Sequence, residues 1–251
     1  YIPDSSGIEN VIIDPTYRLG DNYMLNNRLK GNTKYSINYG VNQHPDWKFY
    51  EFKARPALGY NAYDGIKLGV DMKGGYLGEH HLINSFFFIN STFLNSSYYS
   101  NKPGNDIISY GIDYSTALDK YVKNSTFRGA IKHFDGLDAH SLSLSIQDHQ
   151  KKNSITIGFK GMIRKDYNDL NYLLNENLWG SFRNPSENKY NSILSINLTH
   201  KYEYIFGKGN VDLSLRSSSW MSNYNFSQLS LTSINTSPYI FNFMYFSSIQ
   251  K

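Results

Sequence analysis

The chain has 251 residues, no cysteine, and a net charge of +4 from 25 basic and 21 acidic residues with His neutral. The missing cysteines exclude a disulfide scaffold and a thiolate metal site, and with no run of Lys and Arg the mild positive charge offers no nucleic-acid arm. Charged residues make up only 18%, yet mean hydropathy is −0.51, so the polarity is carried by Asn, Ser and Gly; with 22 Tyr and 15 Phe this excludes a disordered chain and a helical bundle and suits strands joined by turns.

Residues 1–32 read as an irregular lead-in or linker, with Pro3, Pro15 and scattered Asp, Asn and Gly; Val11-Ile12-Ile13 suits a short strand of a preceding domain. The segment Tyr1 to Gly20 has no basic region followed by an apolar stretch, so it is not read as a signal peptide, and a start other than Met suits a mature or excised fragment. From residue 33 the pattern has period two, and residues 33–251 are taken as one domain. Tyr35, Ile37, Tyr39 and Val41 share one face. Phe52, Ala54, Pro56, Leu58 and Tyr60 follow, with a bulge or bend expected at Pro56. After Asp64-Gly65 come Ile66, Leu68, Val70 and Met72, before Gly74, Gly75 and Gly78 break the pattern. Leu82–Leu94 is apolar on both faces in part.

The clearest alternation is Ile108, Tyr110, Ile112, Tyr114, Thr116 and Leu118 against Ser109, Gly111, Asp113, Ser115 and Ala117. Ser125–Phe134 is a weaker strand; Leu142–Ile146 and Ile155–Phe159 are clear ones. Asp166–Glu187 breaks period two, and Leu170, Leu173, Leu174 and Leu178 suit a short loop helix. Alternation resumes from Leu194 to Tyr204, Gly207-Lys208-Gly209-Asn210 suits a hairpin turn, and Val211–Leu215, Ser227–Ser233 and Tyr239–Tyr245 complete the set.

Ten or eleven strands, many near ten residues long, exceed the usual strand of about 5–6 residues. One face is apolar and often ends in Tyr or Phe; the other is small and polar. This is the pattern of an all-β, antiparallel, up-and-down transmembrane β-barrel of about 10–12 strands, with lipid outside, a polar lumen and aromatic girdles. No window approaches the ~20 apolar residues of a membrane helix, a test that a barrel passes by default. Little sequence follows Tyr245, which leaves open a barrel incomplete at its C-terminal end. The alternatives are a soluble β-sandwich or lipocalin-like domain with its apolar face inward.

The chemistry-bearing residues are sparse. Glu79-His80-His81 lacks the His-Glu-x-x-His spacing of a zinc peptidase helix, His133, His140, His149 and His200 are scattered, and no Gly-x-Ser-x-Gly elbow or phosphate loop occurs. No catalytic residue, metal ligand or cofactor is assigned. Glu51, Lys53, Arg55, Lys67, Asp71 and Lys73 fall on the polar faces of two neighbouring strands and form a candidate lumen charge cluster. Filling of the interior by salt bridges is the favoured reading, because a small barrel is largely filled by side chains, and a selectivity surface is the other. Tyr110, Ile112, Tyr114 and Leu118 are the candidate lipid-facing residues.

Two stretches carry a resemblance. Asp14-Pro15-Thr16-Tyr17-Arg18-Leu19, with Asp21 and Asn26-Asn27-Arg28, resembles the linker after the peptidase unit of Bacteroidetes-type aminopeptidase-N-like (gluzincin) zinc peptidases. Arg55-Pro56-Ala57-Leu58-Gly59-Tyr60-Asn61-Ala62-Tyr63-Asp64-Gly65-Ile66-Lys67-Leu68-Gly69 resembles the opening of the β-barrel that follows it. The resemblance covers Val11 to about Tyr76 and is only architectural beyond. It implies a C-terminal outer-membrane barrel whose catalytic domain lies upstream, so that this chain is not itself an enzyme. The expected role is a membrane anchor or translocator-like domain in the outer membrane of a Gram-negative bacterium. Its partners would be the lipid bilayer and other outer-membrane or periplasmic subunits, and no nucleic acid. A small channel for polar solutes and an outer-membrane hydrolase are the competing functions.

Overall fold

The computed structural model describes residues 11–16, 18, 20, 23–28, 31–37, 46–61, 64–78, 80–91, 107–134, 136–164, 190–205, 207–223, 225–236 and, as backbone, 242–250. Its strands are β1 (Thr33–Ile37), β2 (Tyr50–Asn61), β3 (Gly65–Tyr76), β4 (His80–Asn90), β5 (Ile108–Ala117), β6 (Ser125–Phe134), β7 (Leu137–Gln147), β8 (Asn153–Arg164), β9 (Tyr190–Tyr204), β10 (Gly207–Ser218), β11 (Ser227–Thr236) and β12 (Asn242–Gln250). They form one twelve-stranded sheet in chain order. From β2 to β12 every neighbour pair is antiparallel, an up-and-down meander. Among the described residues no pairing joins β12 to β1 or β2, so hydrogen bonds do not close the sheet.

The register follows the hydrophobic alternation, because a slip of one residue would move every apolar side chain to the other face. Val70 lies opposite Phe87, which lies opposite Tyr110; Ile112 faces Ile131, Leu142 faces Phe159, and Ile157 faces Ile196. On the far side Leu213 sits between Leu198 and Leu231. Side-chain carboxylates fix two of the turns. Asp119 accepts the Asn124 N–H at 2.8 Å, and Asp148 accepts the Lys152 N–H at 2.8 Å and the Asn153 amide at 2.6 Å. Partial burial pushes the Asp148 carboxyl up, but the bonds from Asn153 and Lys152 outweigh it and hold the group below the ordinary aspartate range.

Three expectations need correction. β1 pairs with β2 in parallel, Thr33 opposite Tyr50 through Ile37 opposite Ala54, so it stands outside the antiparallel meander. Pro56 makes no bulge: it sits opposite Val70 in unbroken register, and β1 departs at Ala54, so the missing N–H falls where β2 has only one described neighbour. The irregularity lies instead between Gly74 and Tyr76 of β3. Within this chain Ile12 of the Val11-Ile12-Ile13 patch bridges Arg28, and the Ile13 N–H donates to the Asn27 carbonyl at 2.7 Å. Tyr39, Val41, the segment 166–187 with its candidate loop helix, Tyr239 and Phe241 lie outside the described residues.

The third correction concerns Gly207–Asn210, which is strand and not turn; β9 and β10 are joined by residues 205–206 alone. The glycines serve packing. Gly209 lies opposite Tyr202 and Gly207 opposite Tyr204, and a Cβ on Gly209 would sit 2.5 Å from the Tyr202 hydroxyl oxygen. Phe86 covers Gly111 in the same way. An aromatic ring laid over a cross-strand glycine restores the surface the glycine lacks. Gly209→Val is therefore expected to destabilise the sheet by about 1–3 kcal/mol through overpacking, read as a shift in the denaturant midpoint, with Gly209→Ala less affected.

The turns fall at two ends of the sheet. The β3–β4, β5–β6, β7–β8 and β9–β10 connections share one end, here the near end. β4 and β8 end, and β5 and β9 begin, at the other, far end. The lead-in seats on the near end. Tyr76, fully buried, accepts the Met24 N–H at 3.1 Å through its hydroxyl and donates to the Trp47 carbonyl at 2.8 Å. Tyr23 packs edge-on against Tyr76 and His80. Burial, and then the nearby Tyr114 phenol, push the Tyr23 hydroxyl pKa up.

Candidate functional site

The two faces of the sheet differ in chemistry, and the burial is inverted relative to a water-soluble domain. Among the described residues, Tyr76 and Met162 are the only fully buried hydrophobic side chains, while Asp64, Lys67, Asn90, Ser109, Thr116, Ser125, Asn191, Ser192 and Ser219 are buried polar ones. Large apolar side chains are exposed instead: Leu58 is 75% exposed, Leu68 62%, Ile131 59% and Ile112 52%, with Leu142, Ile157, Ile196, Leu215 and Leu231 beside them. The register puts these residues on one continuous outer face. On β2–β11 every described Lys, Arg and Glu side chain occupies the opposite, polar-face parity, from Glu51 and Lys53 to Lys208 and Arg216. The one acidic group at outer-face parity is Asp138, at the far edge, and it is paired with His133.

Rows of rings border the outer face. Near one end His81 stacks on Tyr114 and holds its hydroxyl at 2.6 Å, and His200, Tyr202 and Tyr204 stack in sequence along β9. Toward the other end Tyr110 stacks on His133, and Tyr190 stacks on His140 with a 2.8 Å hydrogen bond. The side chains between are Ile, Leu and Val for the most part. The arrangement places polar tips toward the two ends of the face and mostly hydrocarbon between them, and Tyr and His suit such positions because each has an apolar body and a polar edge.

Of the candidate lipid-facing residues, Tyr110 and Ile112 are exposed on the outer face, and Tyr114 is half-buried beneath His81. Leu118 lies past the end of β5 and opens a turn, where its carbonyl accepts from Tyr121 and Val122. The six candidate charges do not form one cluster. Lys53 pairs with Glu51 at 2.9 Å, and Arg55 reaches one oxygen of Asp71 through two nitrogens at 2.8 and 3.1 Å. Lys67 lies further along, paired with Asp64 at 2.5 Å, while Lys73 is exposed and makes no ion pair with a described residue.

The Asp64–Lys67 pair anchors a network that the sequence did not reveal. Asp64 is fully buried and Lys67 nearly so; Asn90 donates to Ser109 at 2.9 Å, and Ser109 donates to Asp64 at 3.4 Å. These residues come from the β2–β3 turn, β3, the end of β4 and the start of β5, which the topology brings to the far end of the sheet. The Asp64-Gly65 dipeptide signals only a turn, and nothing in the spacing of Asn90 and Ser109 links them to it. A smaller pair, Ser192 with Ser219, joins β9 to the segment after β10 by a short hydroxyl–hydroxyl bond. No three His, Asp or Glu residues among those described converge as metal ligands, and Glu79 lies outside the described residues.

No protein-family model matches the chain, and no curated protein matches it.

Proposed function

We propose that residues 33–251 are a transmembrane β-barrel domain that anchors its protein in the outer membrane of a Gram-negative bacterium. The observation that carries this reading is the outer face of β2–β11: exposed Leu and Ile throughout, no described Lys, Arg or Glu, and aromatic rows at two levels. Water would penalise so large a contiguous apolar surface, whereas lipid stabilises it and penalises the charges that this face lacks. Strand length supports the same reading. Tyr190 and Tyr202 on β9 lie roughly 40 Å apart along the strand at about 3.3 Å per residue. At a tilt of about 45° that projects to nearly the 30 Å thickness of a hydrocarbon core. Closure of the sheet into a barrel is part of the proposal, since lipid leaves no solvent for the hydrogen-bonding groups of a free edge.

The test is behaviour in solvent. The purified chain is expected to need detergent or lipid to remain folded and monodisperse, to float with liposomes in a density gradient, and to migrate faster in gels when unheated. A stable monomer in plain buffer would remove the proposal. The resemblance of residues 14–28 and 55–69 supports placing this barrel after an aminopeptidase-N-like zinc peptidase unit, with the barrel as anchor and the chemistry upstream. Sequencing the native protein ahead of Tyr1 tests that placement: a His-Glu-x-x-His segment supports it, and an unrelated sequence ends it.

A further inference from the structure

We propose that the polar face is a path for small anions, with Arg128 and Arg216 as the residues that select them. This rests on the membrane-barrel reading above, because only closure turns the polar face into a lumen. The acidic groups of that face are mostly occupied. Glu51, Asp71 and Asp113 each hold a cation, and Asp212 accepts hydrogen bonds from Thr199 and Asn210. Lys73, Arg128, Lys160, Lys201 and Arg216 are exposed at polar-face positions and make no ion pair with a described residue. The face therefore carries surplus positive charge on exposed side chains, which a set of mutually neutralising pairs would not.

Two of these cations share one register row. Arg128 lies opposite Ser143, Ser143 opposite Gly158, Gly158 opposite Ser195, and Ser195 opposite Arg216. At about 4.8 Å per strand the guanidinium-bearing residues stand roughly 19 Å apart along the sheet. Between them lies only a floor of hydroxyls and one hydrogen. Small side chains keep the space above the row open, and the two Arg residues flank it with planar donor forks suited to carboxylate or phosphate oxygens. Rings of Arg or Lys are the means by which pores favour anions, and low-dielectric walls focus their field.

The experiment uses the full chain refolded into lipid, with liposome flotation run in parallel and planar bilayers held under a potassium chloride gradient. The wild type is expected to conduct with a several-fold preference for chloride over potassium, and added inorganic phosphate to reduce the chloride current. Arg128→Glu/Arg216→Glu is expected to abolish or reverse the preference, while Lys151→Glu, in the β7–β8 turn, leaves it unchanged. A cation preference in the wild type, or an unchanged ratio in the double variant, overturns the proposal. A chain that floats with liposomes but is electrically silent overturns it too and leaves the membrane reading standing; a chain that does not float overturns both.

Discussion

Ile112→Arg is expected to destabilise the folded chain in lipid vesicles by roughly 2–4 kcal/mol, the cost of a charge near the bilayer midplane. Ile112 sits in the middle of β5, is 52% exposed, and lies between Ser85 and Ile131 on the outer face. No carboxylate lies opposite it in register, and an arginine there can only reach toward the aromatic levels. The next residue supplies the control. Asp113 has polar-face parity and pairs with Lys132 at 3.0 Å, both partly exposed, so Asp113→Asn removes an interaction worth at most about 1 kcal/mol. Denaturant midpoints of the two variants in the same vesicles make the comparison. An unaffected Ile112→Arg beside a crippled Asp113→Asn would mean that the faces are reversed and that the apolar one is a protein interior.

Lys67→Met is expected to cost about 3–5 kcal/mol, because it leaves the Asp64 carboxylate buried without its cation. Asp64 is fully buried, and the ammonium of Lys67 is 2.5 Å from its Oδ2. Asp64→Asn/Lys67→Met removes both charges and is expected to recover much of the loss, since a neutral pair of similar volume has no uncompensated charge to desolvate. Urea titration of the wild type and of both variants decides it. If the double variant is no more stable than the single, the pair acts through packing and not through charge compensation.

The strands were legible because period two is a direct consequence of backbone geometry, and this chain follows it over long stretches such as Ile108–Ala117 and Leu194–Tyr204. Ser125–Phe134 read weakly because Arg128, Lys132 and His133 dilute its apolar set, yet it is a full strand, held by Ile112 opposite Ile131 on one side and Leu144 opposite Phe127 on the other. Glycine misled in one place. Gly207 and Gly209 read as a turn because glycine usually marks one, but here each lies under a tyrosine ring from the strand beside it, a relation that single-chain spacing does not contain. The candidate charges were placed on the correct elements, but their partners were not. Register decides that Arg55 meets Asp71, and the far-end assembly decides that Lys67 turns to Asp64 with Ser109 behind it. Such contacts arise between residues distant in the chain, and one sequence offers no signal for them.

The strand order also fixes sidedness. The eleven strands β2–β12 each reverse the one before, so β2 and β12 run in the same direction. A polypeptide that crosses a bilayer an odd number of times delivers its flanks to opposite compartments. In the proposed barrel the lead-in seated on Tyr76 would stand in one compartment and the end of β12 in the other. An epitope placed on the lead-in and one placed after β12 would therefore never be shaved by the same protease added from a single side. In a chain with no cysteine of its own, thiols introduced at the two flanks would report this directly through a membrane-impermeant label.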